Sequence, residues 1–141
     1  MNKEFVVLKN SFDSLAKVKR AEKNSSSVLV DSIIKGMQEK KAENIVVIDL
    51  TGLFNPISDF LVICSGNSDT QVEAITEEIE KEVFKTKKED PWLSEGKDQN
   101  HWVILDYVDV VAHIFYREAR EFYNIEGLWA DAPVEKIEYQ V

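Results

Sequence analysis

The sequence predicts one α/β domain, a mixed and mostly five-stranded sheet with helices packed on it. Three observations carry that prediction. The runs NIVVIDL (residues 44–50) and DFLVICSG (59–66) are short, apolar, β-branched and bounded by turn residues, the pattern of buried strands. Between and around them lie stripes at helical spacing, the clearest being Val72, Ile75, Ile79 and Val83. WVILDYVDVVAHIF (102–115) is two alternating apolar runs about a central turn, a β-hairpin. Strands interleaved with helices and containing one antiparallel pair build a mixed sheet.

In chain order, residues 1–24 read as a basic appendage outside the core, with Phe5, Leu8, Phe12 and Leu15 at helical spacing before a Ser-rich stretch. The domain proper is 25–141. Ser26 or Ser27 is placed to cap a helix over 28–41, whose broad apolar face is Val28, Leu29, Ile33, Ile34 and Met37; Gly36 weakens it slightly. TGLFNPIS connects the two buried strands. Ser68 and Gln71 form a capping box that opens a helix over 69–85, with Glu73, Glu77, Glu78, Glu80 and Glu82 on its other faces. Residues 87–100 combine charge, Pro91 and Gly96 and predict a loop, in which Trp92 is unusual apolar company. After the hairpin, YREAREFYNIEG predicts a short helix with an Arg117–Glu121 pair and a stop at Gly127. VEKIEY (134–139) alternates and supplies a last strand.

The hairpin is the most informative stretch. Taking Tyr107 and Val108 as its turn sets Leu105 opposite Val110, Ile104 opposite Val111, Val103 opposite Ala112 and Trp102 opposite His113. One face is then Val103, Leu105, Val110 and Ala112, all apolar. The other mixes Trp102, Ile104, Val111 and His113 with an acidic pair, Asp106 and Asp109, side by side at the tip. Like charges placed opposite each other destabilise a hairpin. Two readings stand: solvated turn formers, as Asp commonly is, or a surface built for a partner.

Composition narrows the function. The 141 residues are 44% hydrophobic, enough for one real core, and no apolar run approaches a membrane span. Without a signal-peptide pattern the expectation is a soluble, cytoplasmic protein. The single cysteine, Cys64, sits in an apolar run and supports neither a disulfide nor a cysteine-based zinc site. Net charge is −9, but residues 1–23 hold six basic and three acidic side chains, so the appendage is +3 and the remainder −12. Phosphate backbones repel so acidic a body, and a specific nucleic-acid partner is not expected. A basic protein suits it.

The best case for an enzyme is Gly66-Asn67-Ser68 between a strand and a helix, where backbone amides bind phosphate, with Asp106 and Asp109 as magnesium ligands of a nucleotide-dependent transferase. Neither a phosphate-loop lysine pattern nor G-x-G-x-x-G accompanies it. Ser68 is better explained as a helix cap. His101 and His113 lack the spacing and the third ligand of a zinc site. No catalytic constellation, cofactor site or metal site emerges.

From residue 44 to 133 the chain resembles the ribosomal silencing factor family, also called RsfS or Iojap. The resemblance rests on IDL, Ser58-Asp59 leading into FLVICSG, Gly66-x-Ser68-x-x-Gln71-Val72, Glu95-Gly96, WVILDYVDVVAHIF, then Glu118, Arg120, Phe122 and Tyr123, and LWADAP, all in order. It implies a nucleotidyltransferase-like fold without transferase activity. It further implies binding to a basic protein of the large ribosomal subunit, the fourteenth by the usual naming, which blocks joining of the small and large subunits and represses translation when nutrients are scarce. Carried onto this chain, the partner-binding patch is Trp102, Asp106, Tyr107 and Asp109, supported by His113, with exposed Trp and Tyr as anchors. The chain departs from many relatives at Val108, where they have Gly. The appendage lies outside the resemblance, and incidental contact with ribosomal RNA is one use for it. The mixed hairpin face could equally pair with itself in a homodimer.

Overall fold

The computed structural model describes residues 25–138. The appendage before Ser25 and the end of the predicted last strand lie outside the described residues.

Six strands form one sheet in the order β3-β4-β5-β2-β1-β6, with β1 Glu43–Asp49, β2 Phe60–Gly66, β3 Leu93–Glu95, β4 Trp102–Asp106, β5 Val110–Tyr116 and β6 Val134–Lys136. Only β2 and β5 run parallel; every other neighbouring pair is antiparallel. The strand count exceeds the expected five because β3 forms inside the predicted loop. A three-residue, wholly exposed edge strand has no buried side to produce an alternating signal. Gly96 then turns the chain back into β4 at φ +86°, where a Cβ would collide with the Trp102 carbonyl.

Helices α1 (Ser25–Glu39) and α2 (Asp69–Lys87) pack side by side on one face of the sheet. Leu29, Val30, Ile33 and Met37 from α1 and Val72, Ile75, Ile79 and Val83 from α2 meet Val47, Val62, Cys64, Val103, Leu105 and Ala112 in the main core. α1 begins three residues earlier than its sequence pattern suggests. Ser26 and Ser27 are buried in its first turn, and the Ser26 hydroxyl donates to Asp59 (2.7 Å). At Ser68 the cap forms as expected, its hydroxyl accepting from the Gln71 amide (3.1 Å). Gln71 reaches one residue further back than a capping box requires and accepts from Asn67 N–H (2.6 Å).

The other face carries a smaller core of Val46, Ile48, Leu50, Leu61, Ile63 and Phe115. Among the described residues, Leu53, Ile125, Trp129 and Ala132 pack against it, while Trp102 and Val111 border it only partly buried. α3 (Arg117–Tyr123) ends at Asn124 in the left-handed region (φ 46°), not at Gly127, and a 3-10 turn Ile125–Trp129 runs on through that glycine. Arg120 ties this segment down. Its Nε and Nη2 donate to the Glu126 carboxylate (3.0 Å each), and its Nη1 donates to the Asn44 carbonyl (2.7 Å) and Ser65 hydroxyl (2.9 Å). The Asn44 carbonyl is available because Asn44, at φ 52°, sits in an irregularity of the β1–β2 ladder.

Gly36 has a packing reason to be glycine. A Cβ there would stand 2.7 Å from Ile79 Cα, backbone that cannot move without separating the two helices. Gly36→Ala should therefore lower stability by about 1–3 kcal/mol despite alanine's better helix propensity. Urea denaturation of both chains measures it, and a variant as stable as its parent contradicts the close approach.

Candidate functional site

The hairpin register is displaced by two residues from the expected one. Trp102 lies opposite Phe115, Val103 opposite Ile114, Ile104 opposite His113, Leu105 opposite Ala112 and Asp106 opposite Val111. An even displacement leaves each side chain on its expected face. Val103, Leu105, Val110 and Ala112 are all buried against the helices, whereas Trp102, Ile104, Asp106 and Val111 stand half-buried on the opposite face.

The displacement tightens the tip. Tyr107 N–H donates to the Val110 carbonyl and Asp109 N–H to the Tyr107 carbonyl (2.9 Å each), so the turn is centred on Val108 and Asp109. Tyr107, expected to be exposed, instead continues the Val103–Leu105 row onto the helix-covered face and is only 5% exposed. Its hydroxyl has no hydrogen-bond partner among the described residues. Burial pushes the phenol's pKa upward, and the nearby carboxylates of Glu80, Asp90 and Glu89 push it further. Tyr107 thus supports the tip from beneath rather than presenting a ring to a partner.

Nor do the two carboxylates face each other. Asp106 pairs across with Val111 on one side and Leu93 on the other, and its Oδ1 accepts from Val108 N–H (2.8 Å), folding the turn. Asp109 stands exposed in the turn itself, while its carbonyl accepts from the amides of Asp59 (2.7 Å) and Phe60 (3.2 Å). Val108 has φ 74°, a region that β-branched residues rarely enter.

Trp102 anchors the open face. Its ring stacks on Phe115 (5.0 Å between centroids) and tilts against Tyr123 (4.8 Å), and its Nε1 donates to His113 Nδ1 (3.0 Å). That hydrogen bond needs a neutral acceptor nitrogen. His113 is 8% exposed, and burial lowers its pKa from 6.5 to about 4, against the opposing pull of Asp106. α3 adds two rings that sequence patterning did not place here, Tyr123 (52% exposed) and Phe122 (79%). Their helical spacing carried no sign of it, because the Arg120 clamp that orients α3 joins residues up to 76 positions apart.

Gly66 and Ser68 are not near the two aspartates. β5 leaves the tip at Val110 beside Phe60 and reaches Gly66 only at Tyr116, six residues and about 20 Å away. The residues of the transferase reading therefore lie at opposite ends of the sheet. The Asn67 and Gln71 amides are already engaged by Gln71 and Ser68 side chains. His101 packs near Tyr116 rather than joining His113 (6.0 Å between ring centroids). Among the described residues no three His, Cys, Asp or Glu side chains converge on a metal site, and no helix is long and apolar enough to cross a membrane. Burial drives the Cys64 thiol up to about 12, against a smaller lowering by Arg120, so it remains protonated.

Two outcomes follow from the turn and the imidazole. Val108→Gly relieves a positive φ worth about 1–2 kcal/mol and loses roughly half of that to chain entropy, so it should raise stability by about 0.5–1 kcal/mol; a lower melting temperature contradicts this. For His113, both states are neutral above pH 6.5, and below it the unfolded chain takes up a proton that the folded chain refuses. Stability should fall as pH drops from 6.5 towards 4, by up to about 3 kcal/mol. Denaturation midpoints between pH 7 and 5 for the parent and His113→Gln test it, since the variant should lose that slope.

Comparison with known proteins agrees with this architecture. The family model described as "Ribosomal silencing factor during starvation" matches residues 22–141. A ribosomal silencing factor of Halalkalibacterium halodurans is 40% identical over 114 residues, 81% of this chain and 96% of that protein. That of Bacillus subtilis is 39% identical over 105 residues, 72% of this chain and 84% of its own. A crystal structure from Bacillus halodurans superposes with a TM-score of 0.65 at 34% identity, covering 78% of this chain and 96% of that one. With the family model spanning the described residues, relatives at 39% and 40% identity and a shared overall fold, the chain belongs to the ribosomal silencing factor family.

Proposed function

We propose that the protein binds the large ribosomal subunit through a basic ribosomal protein, the fourteenth by the usual naming, and so keeps the small subunit from joining, repressing translation when nutrients are limiting. The observation that carries this reading is a sheet face that the described residues leave uncovered around Ile104, Asp106 and Val111, bearing a braced Trp102 between apolar positions and carboxylates. Half-buried aromatic rings locked by their neighbours bind at low entropic cost, as hot-spot anchors do. Asp106 and Asp109 gain Lys or Arg partners on a cationic surface, and the −12 charge outside the appendage steers the approach. Trp102, Asp106 and Asp109 are the contact residues. His113 orients Trp102, and Tyr107 holds the turn that aims Asp109. The output is obstruction, with no bond made or broken.

Purified protein added to separated subunits should migrate with large subunits in a sucrose gradient and reduce joined particles when small subunits are added. Absence from the large-subunit peak overturns the reading. Trp102→Ala should weaken binding by about 2 kcal/mol, roughly thirtyfold in Kd. Asp109→Lys should mainly slow association and flatten its salt dependence. If both variants bind like the parent while still folded, the contact surface is elsewhere.

A further inference from the structure

The body's open acidic face and the basic appendage are brought to the same end of the molecule by the fold. α1 starts at Ser25, and the Ser26 hydroxyl holds Asp59 (2.7 Å), whose amide is bonded to the Asp109 carbonyl in the hairpin turn (2.7 Å). Residues 1–24 therefore join the body beside the tip, on the helix-covered side, from which they reach the other face round the end of the sheet. Exposed apolar side chains flank that end, Val108 in the turn and Phe54 and Ile57 in the β1–β2 connection, and Leu93 lies exposed next to Asp106.

We propose that residues 1–24 dock across the open β4–β5 face as an intramolecular strap that competes with the ribosomal partner. Complementarity supports this occupant on two counts. The strap is +3 against a body of −12, and its Phe5, Leu8, Phe12 and Leu15 form one apolar stripe at helical spacing. The face offers what that stripe needs, Ile104 and Val111 half-buried between Trp102 and the Asp106–Asp109 tip. The glutamate-rich sides of α2 match the charge alone, because that helix buries its own apolar stripe in the core. Reach is sufficient: residues 16–24 span about 30 Å when extended, against about 10 Å to round the end of the sheet and about 10 Å more from the tip to Ile104. Lys17, Lys19, Arg20 and Lys23 lie in that span, so a docked strap would carry them past the tip carboxylates. A tethered segment acts at an effective concentration near the millimolar range, so a weak contact is enough to occupy the face. The docking itself is argued from charge, patterning and attachment point; only its competition with the ribosome rests on the function proposed above.

The test uses the full chain carrying Asn10→Cys and a nitroxide, which Cys64 leaves alone because it is fully buried. Amide signals of Ile104, Asp106 and Val111 should lose more than half their intensity and regain it on reduction of the label, while those of Glu73 and Glu77 on α2 stay unchanged. Uniform signals, or losses centred on α2, overturn the strap. So does loss transferred to an unlabelled chain mixed with the labelled one, which assigns the face to a second copy. A full chain with Phe5, Leu8, Phe12 and Leu15 all changed to Ser should bind isolated large subunits about three- to tenfold more tightly, because apparent Kd scales inversely with the open fraction. Unchanged affinity overturns the competition. If neither chain binds large subunits while the signal losses persist, the proposed ribosomal function fails and the strap stands.

Discussion

Everything at the candidate site depends on the sheet burying one face under two helices and only part of the other. Val103, Leu105, Tyr107, Val110, Ala112 and Ile114 form a continuous row beneath α1 and α2. Because side chains alternate along a strand, burying that row sends Trp102, Ile104, Asp106, Val111 and His113 to the other side. No separate device is needed to leave that side of the sheet accessible. The α1–α2 approach at Gly36 and Ile79 keeps both helices close enough to cover the row.

The open face is braced from its own side, from α3 and from the core beneath it. Trp102 is held by stacking on Phe115, by Tyr123 and by the His113 acceptor, which burial keeps neutral. The tip is held from three directions: Tyr107 seats its ring in the core, Asp106 accepts from Val108 N–H, and the Asp109 carbonyl bridges to β2. That many restraints maintain Val108 at a positive φ, a conformation that would relax in an isolated hairpin. A preformed surface of this kind loses little side-chain freedom on binding.

Arg120 connects the site to the rest of the fold. By gripping Glu126, Asn44 and Ser65 it fixes α3, which brings Tyr123 against Trp102. The phosphate-loop look of Gly66–Ser68 has a structural explanation, since Ser68 caps α2 and Gln71 braces the preceding amide. Gln71 also donates to the Lys40 and Lys41 carbonyls (3.1 Å each), so the segment locks α2 to the end of α1.

Local pattern alone determined the α/β class, the two buried strands β1 and β2, the Ser68 cap and the side of the sheet on which each hairpin residue lies, because each depends on spacing of two or of three to four along the chain. Tertiary structure decided what depends on partners distant in sequence. Pairing of β5 with β2 and of β4 with β3 set the hairpin register, which moved the turn to Val108–Asp109, drew Tyr107 into the core and separated the two aspartates. An even displacement preserves every face, so alternation in sequence cannot detect it. The edge strand β3 and the aromatic contribution of α3 were hidden for the same reason: one exists only through pairing with β4, the other only through the Arg120 clamp.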